Sequence, residues 1–66
     1  MWIVIHMVQS ETAADKACVL LRNEGFLVKA RPVYRSVGSD ENYFELLALR
    51  SEAQEARKFL LENNIR

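Results

Sequence analysis

The stretch Trp2-Ile3-Val4-Ile5-His6-Met7-Val8 decides how the rest of this chain is arranged. A strand with one wet face alternates apolar and polar residues, and this one does not. Apart from His6, both parities are apolar, the pattern of a strand in a sheet covered on both sides. A chain of 66 residues can supply only two short helices, enough to cover one side. The surplus apolar surface points to a partner, most simply a second copy of the chain.

Downstream of that strand, Ser10 is a good N-cap for a helix beginning at Glu11, whose carboxylate suits the positive end of the helix dipole. Ala13, Ala14, Ala17, Cys18, Leu20 and Leu21 form an apolar stripe at helical spacing, and Gly25 is placed to end the helix in the left-handed conformation. Residues 26–35 read as a second strand. Pro32 within it cannot donate to a ladder, so the strand belongs at an edge. After a polar connection over 37–42, residues 43–49 read as a third strand. Ser51-Glu52-Ala53-Gln54 matches a capping box and opens a second helix with Ala53, Ala56, Phe59 and Leu60 on its core side. Asn63-Asn64 should fray its end.

The expected architecture is therefore α+β, a single domain over 1–66 in the order β-α-β-β-α. A right-handed crossover leaves room for the third strand between the first two, giving a three-stranded antiparallel sheet of order 1-3-2 with two helices on one face. Charge assigns the faces. Lys29, Arg31 and Glu45 should avoid the helices, which leaves Val28, Ala30, Phe44, Leu46 and Ala48 beneath them. In the first strand Ile3, Ile5 and Met7 are assigned to the helices, and Trp2, Val4, His6 and Val8 to the open face. An interface through Trp2, Val4, His6, Val8 and Leu47 follows from that assignment; the order 1-3-2 leaves the first strand a free edge, and pairing through it is the alternative.

Composition narrows the functional classes. Nine acidic and nine basic residues give a formal net charge of zero, against the basic excess of a free-standing nucleic-acid binder. The apolar N-terminal run is too short to cross a membrane and carries no signal-peptide charge before it. One cysteine, Cys18, and no export signal fit a reducing cytoplasm. At this size only about 60% of the unfolded chain's surface is buried on folding, so a lone subunit should be marginal.

Several segments carry a resemblance: Met1-Trp2-x-Val4, the turn into a helix at Ser10, Asn23-Glu24-Gly25-Phe26-Leu27-Val28-Lys29-x-Arg31, and Tyr43-Phe44-Glu45-Leu46-Leu47 followed by Ser51-Glu52-Ala53. Together these resemble a family of short bacterial proteins of unknown function. That family is similar in turn to a signal-transducing domain family with a ferredoxin-like fold, near the nitrogen-regulatory PII group. The resemblance implies a ferredoxin-like domain with a regulatory role. Members of the short family sometimes carry the label glutamate decarboxylase. That activity needs a Schiff-base lysine, a phosphate cup and an acidic partner for the cofactor ring in a large cleft. Lys16, Lys29 and Lys58 are the only lysines, and no glycine-rich loop accompanies them.

The remaining candidates are few. Lys29, Arg31 and Arg35 line the outer side of the second strand, where they can protect an edge, pair with Glu45 or receive a small anion. Lys29 and Arg31, together with His6, Tyr43 and Glu45, make the candidate ligand site. His6 could alternatively act as a base in a site shared between subunits, although a lone histidine on a strand is more often simply packed. Cys18 lies in an apolar stripe and reads as a small hydrophobe. Asp40 and Glu41 read as a solvated turn, and Gly38 alone makes no phosphate loop. The reading is a non-enzymatic, homo-oligomeric domain that binds a small anion or a partner protein in regulation, with no cofactor, metal, nucleic acid or membrane. The alternative is a structural module docking on a larger protein through the first strand's edge.

Overall fold

The computed structural model describes residues 1–34 and 42–65. Its elements are β1 (Trp2–Val8), α1 (Glu11–Asn23), β2 (Val28–Pro32), β3 (Phe44–Leu49) and α2 (Ala53–Glu62). The three strands form one antiparallel sheet of order β1-β3-β2, an α+β arrangement consistent with a ferredoxin-like fold. Pro32 closes the short edge strand β2, where its missing N–H costs the sheet little. The expected role of Arg35 and the readings of 37–41 lie outside the described residues.

Both ends of α1 follow local chemistry. Ser10 Oγ accepts a hydrogen bond from the Ala13 amide at 3.0 Å. At the other end Gly25, at φ +94°, donates its amide to Arg22 O, and the Phe26 amide donates to Leu21 O. That pair of bonds is a Schellman motif, which satisfies two carbonyls the helix would otherwise leave orphaned. The end of α2 repeats the motif rather than fraying. Asn64 takes φ 61°, its amide donates to Leu61 O, and the Ile65 amide donates to Leu60 O. Asparagine tolerates the left-handed region better than most residues, and the turn folds Ile65 back onto the core.

The start of α2 departs from the expected capping box. Glu52 occupies the N-cap position and no side chain caps there. Its carboxylate instead accepts the Leu27 amide at 3.1 Å, tying the start of α2 to the entry of β2. A tertiary acceptor role has displaced the local one.

The core lies between the sheet and the helices. Ala14, Ala17, Cys18 and Leu21 from α1, and Ala53, Ala56 and Leu60 from α2, pack on Ile5, Val8, Val28, Phe44, Leu46 and Ala48. The alanines let the helices approach closely, and Phe26 and Phe59 close one side with ring centroids 6.1 Å apart. Leu20, expected in the stripe, is partly exposed, and Ala30 of β2 is exposed although Val28 of the same strand is buried in the core.

One irregularity changes the face assignment. β1 pairs with β3 as Trp2↔Leu49, Ile3↔Ala48 and Val4↔Leu47, and then as His6↔Leu46, Met7↔Glu45 and Val8↔Phe44. Ile5 is the extra residue of a β-bulge, so the alternation inverts after it. Ile3 and Ile5 face the helices as expected. His6 and Val8 pair with core residues Leu46 and Phe44 and lie on the helix side, whereas Met7 is turned out. The assignment of His6 and Val8 to the open face, and of Met7 to the helices, is corrected by the bulge.

Candidate functional site

The side of the sheet away from the helices holds most of the residues singled out in the sequence. Three rows cross it: Trp2 beside Leu49, Val4–Leu47–Lys29, and Met7–Glu45–Arg31. Arg31 Nε donates to Glu45 Oε1 at 3.0 Å, the cross-strand pair expected from their parity. Arg31 is well exposed, so the pair adds about 0.2–1 kcal/mol at most.

Lys29 does something the sequence did not announce. Its Nζ lies 4.5 Å from the centroid of the Trp2 ring. Because β3 runs between β1 and β2, that contact carries the lysine stem across β3 beside Leu47. Leu47 is consequently only 3% exposed despite lying on the helix-free face. An amphipathic stem covering apolar surface while its charge meets a ring face is a cheap form of shelter. It is incomplete: Trp2, Met7 and Tyr43 remain 38%, 48% and 41% exposed.

The five residues expected to bind a ligand do not all converge. Lys29, Arg31 and Glu45 share the helix-free face, and Tyr43 precedes β3 with the same parity as Glu45. His6 is on the opposite side. Its Nε2 is shielded from solvent and, among the described residues, has no hydrogen-bond partner. Of the expected interface residues, Trp2, Val4 and Leu47 lie on the open face, and Val8 is buried in the core.

Two polar residues escaped the sequence reading. Asn42 is 3% exposed and braces the base of the β2–β3 connection. Its Oδ1 accepts from the Tyr34 and Tyr43 amides at 3.1 and 2.8 Å, and its Nδ2 donates to Tyr34 O at 2.6 Å. The signal for it in the sequence is an asparagine just before a strand, which by itself is equally at home in a polar loop. Arg57 of α2 donates from Nη2 to Val4 O at 3.1 Å. It thereby occupies a carbonyl on β1, and together with the Ile5 bulge it makes that edge a poor template for another strand.

Cys18 is buried, and desolvation holds its thiol above the ordinary 9.0. Nearby Arg22 pulls the other way without overcoming burial, and Asp15 adds to the rise. Such a group is a poor nucleophile at neutral pH. Among the described residues no three His, Cys, Asp or Glu side chains converge, and no helix is long and apolar enough to cross a membrane. Comparison with protein-family models, curated proteins and solved structures finds no match.

Proposed function

We propose that this protein is a non-enzymatic regulatory binding module that works as a homo-oligomer, two copies packing their helix-free sheet faces together. The observation that carries this reading is the partial exposure of Trp2, Met7 and Tyr43 on the face opposite the helices. Isolated exposed apolar residues are ordinary, but three on one uncovered sheet face, Trp2 at one end and Met7 and Tyr43 at the other, favour its use as an interaction surface. The broad side of the molecule, 31 × 25 Å, is of the order of the roughly 800 Å² that each partner brings to a standard interface. The face also carries both signs of charge, Lys29 and Arg31 against Glu45, so a two-fold axis can pair one copy's cations with the other's carboxylate.

Docking through the free edge of β1 is the less favoured route, because the bulge and Arg57 both obstruct strand addition. A small anion arriving at Lys29 and Arg31 would compete with Glu45 and the Trp2 ring for those cations. Binding there would loosen or reset the seam, the regulatory step this reading assigns to the module. The resemblance to short bacterial proteins related to signal-transducing domains supports the same role.

Light scattering over a range of concentrations tests the proposal. A mass at least twice that of the chain is expected for the natural sequence, falling to one chain for Met7→Glu, whose new charge sits at an exposed position and leaves the core intact. A folded single subunit at high concentration would end this reading.

A further inference from the structure

We propose that the cleft between β1 and α2 binds a short-chain monocarboxylate, its two oxygens taken by the Arg57 guanidinium and His6 Nε2. This site lies on the helix side of β1 and is independent of the sheet-face association proposed above.

The cleft holds about 150 Å³ and is lined by Ile5, His6, Arg57, Leu60, Leu61 and Ile65. Its polar groups have capacity to spare. His6 Nε2 is buried with no partner among the described residues, a state that costs free energy unless something completes it. Arg57 has five N–H donors, of which one is committed to Val4 O, and among the described residues no carboxylate lies within salt-bridge distance of it. The bond to Val4 O anchors the guanidinium at the rim, so little side-chain freedom remains to be lost on binding.

Chemistry selects the ligand class. One guanidinium and one imidazole N–H match the two oxygens of a carboxylate. A phosphate has no hydrocarbon tail and would set some of its oxygens against Ile5, Leu60 and Ile65, which offer no donor. The apolar wall suits a hydrocarbon tail instead. A volume about five times a water's share of the liquid, roughly 30 Å³, fits a carboxylate with about three or four carbons. Nε2 has no solvent contact, so the ligand reaches it by displacing the end of Leu61, which is exposed and therefore at the mouth. The setting agrees with the bulge at Ile5, since bulges re-aim side chains where a strand borders a site.

Sodium butyrate titrated into isotopically labelled protein, followed by NMR, tests the proposal. Butyrate should shift the His6 ring and Arg57 Nε–Hε signals saturably, acetate more weakly, and butyramide or matched sodium chloride not at all. Arg57→Gln should weaken butyrate binding about tenfold or more, the loss expected for one charge-assisted hydrogen bond. His6→Phe should weaken it comparably. That variant guards against a folding artefact, because it keeps a ring in place while deleting the unpartnered nitrogen. The same titration on Met7→Glu separates this site from the sheet-face seam: binding should survive there. Absence of saturable shifts, equal shifts from butyramide or inorganic phosphate, or unchanged affinity in both folded cleft variants would overturn the assignment.

Discussion

The two faces of this sheet solve the same problem by different means. On the helix side, Leu46 and Ala48 are fully buried under a layer rich in alanine. On the other side, Leu47 is almost as well hidden, yet its cover is a lysine stem and a tryptophan ring that meet across the strand. Rigid elements provide close packing that cannot relax when an atom is removed. Flexible side chains provide shelter that re-forms, and that a second subunit can replace. Neighbouring residues on one strand thus occupy environments of equal dryness and unequal stiffness.

The sharpest way to break this comparison is to truncate both leucines. Leu46→Ala should cost about 2–5 kcal/mol in urea denaturation, because the helices above it cannot close over the cavity. For a domain this small, that approaches its whole stability. Leu47→Ala should cost less, about 1–2 kcal/mol, since Lys29 and Trp2 can settle into the gap. If the faces of two copies pack together, that second value should also grow with protein concentration, whereas the Leu46→Ala value should grow less. Equal losses at all concentrations would erase the distinction between the faces.

A smaller effect tests the backbone at the end of α1. Gly25→Ala places a Cβ in open space, so nothing but the positive φ resists it, and about 1–2 kcal/mol should be lost. Smaller still, Lys29→Ala should cost up to about 1 kcal/mol from the cation–π contact and raise the exposure of Leu47, read as a change in Trp2 fluorescence. The least effect concerns Cys18. Its raised pKa means the unfolded chain releases the thiol proton first, so stability should fall as pH rises past 9.0, and that slope should vanish in Cys18→Ala. In the native state at neutral pH the thiol should resist alkylation until the chain opens.

Legibility in the sequence followed the range of the interaction. Ser10, Gly25 and Pro32 announce themselves because each acts through its own backbone or the next few residues. The Arg31–Glu45 pair was legible because parity on adjacent strands is a two-residue rule. Glu52 and Asn42 were misread for the opposite reason, whereas the turn at Asn64 is as local as the one at Gly25 and differs only in using asparagine for the positive φ. Glu52 and Asn42 make bonds whose partners are set by how the elements meet. The candidate site fared likewise: Lys29, Arg31 and Glu45 came together, Arg57 went unnoticed, and His6 crossed to the other side.

Sequence alone therefore determined the order of elements, where α1 begins and ends, and which strand must sit at an edge, all consequences of local propensity and of proline's missing donor. Only the tertiary structure decided which way His6, Met7 and Val8 point. With apolar residues at both parities of β1, alternation carries no information, and the register against β3, with its one extra residue at Ile5, makes the choice.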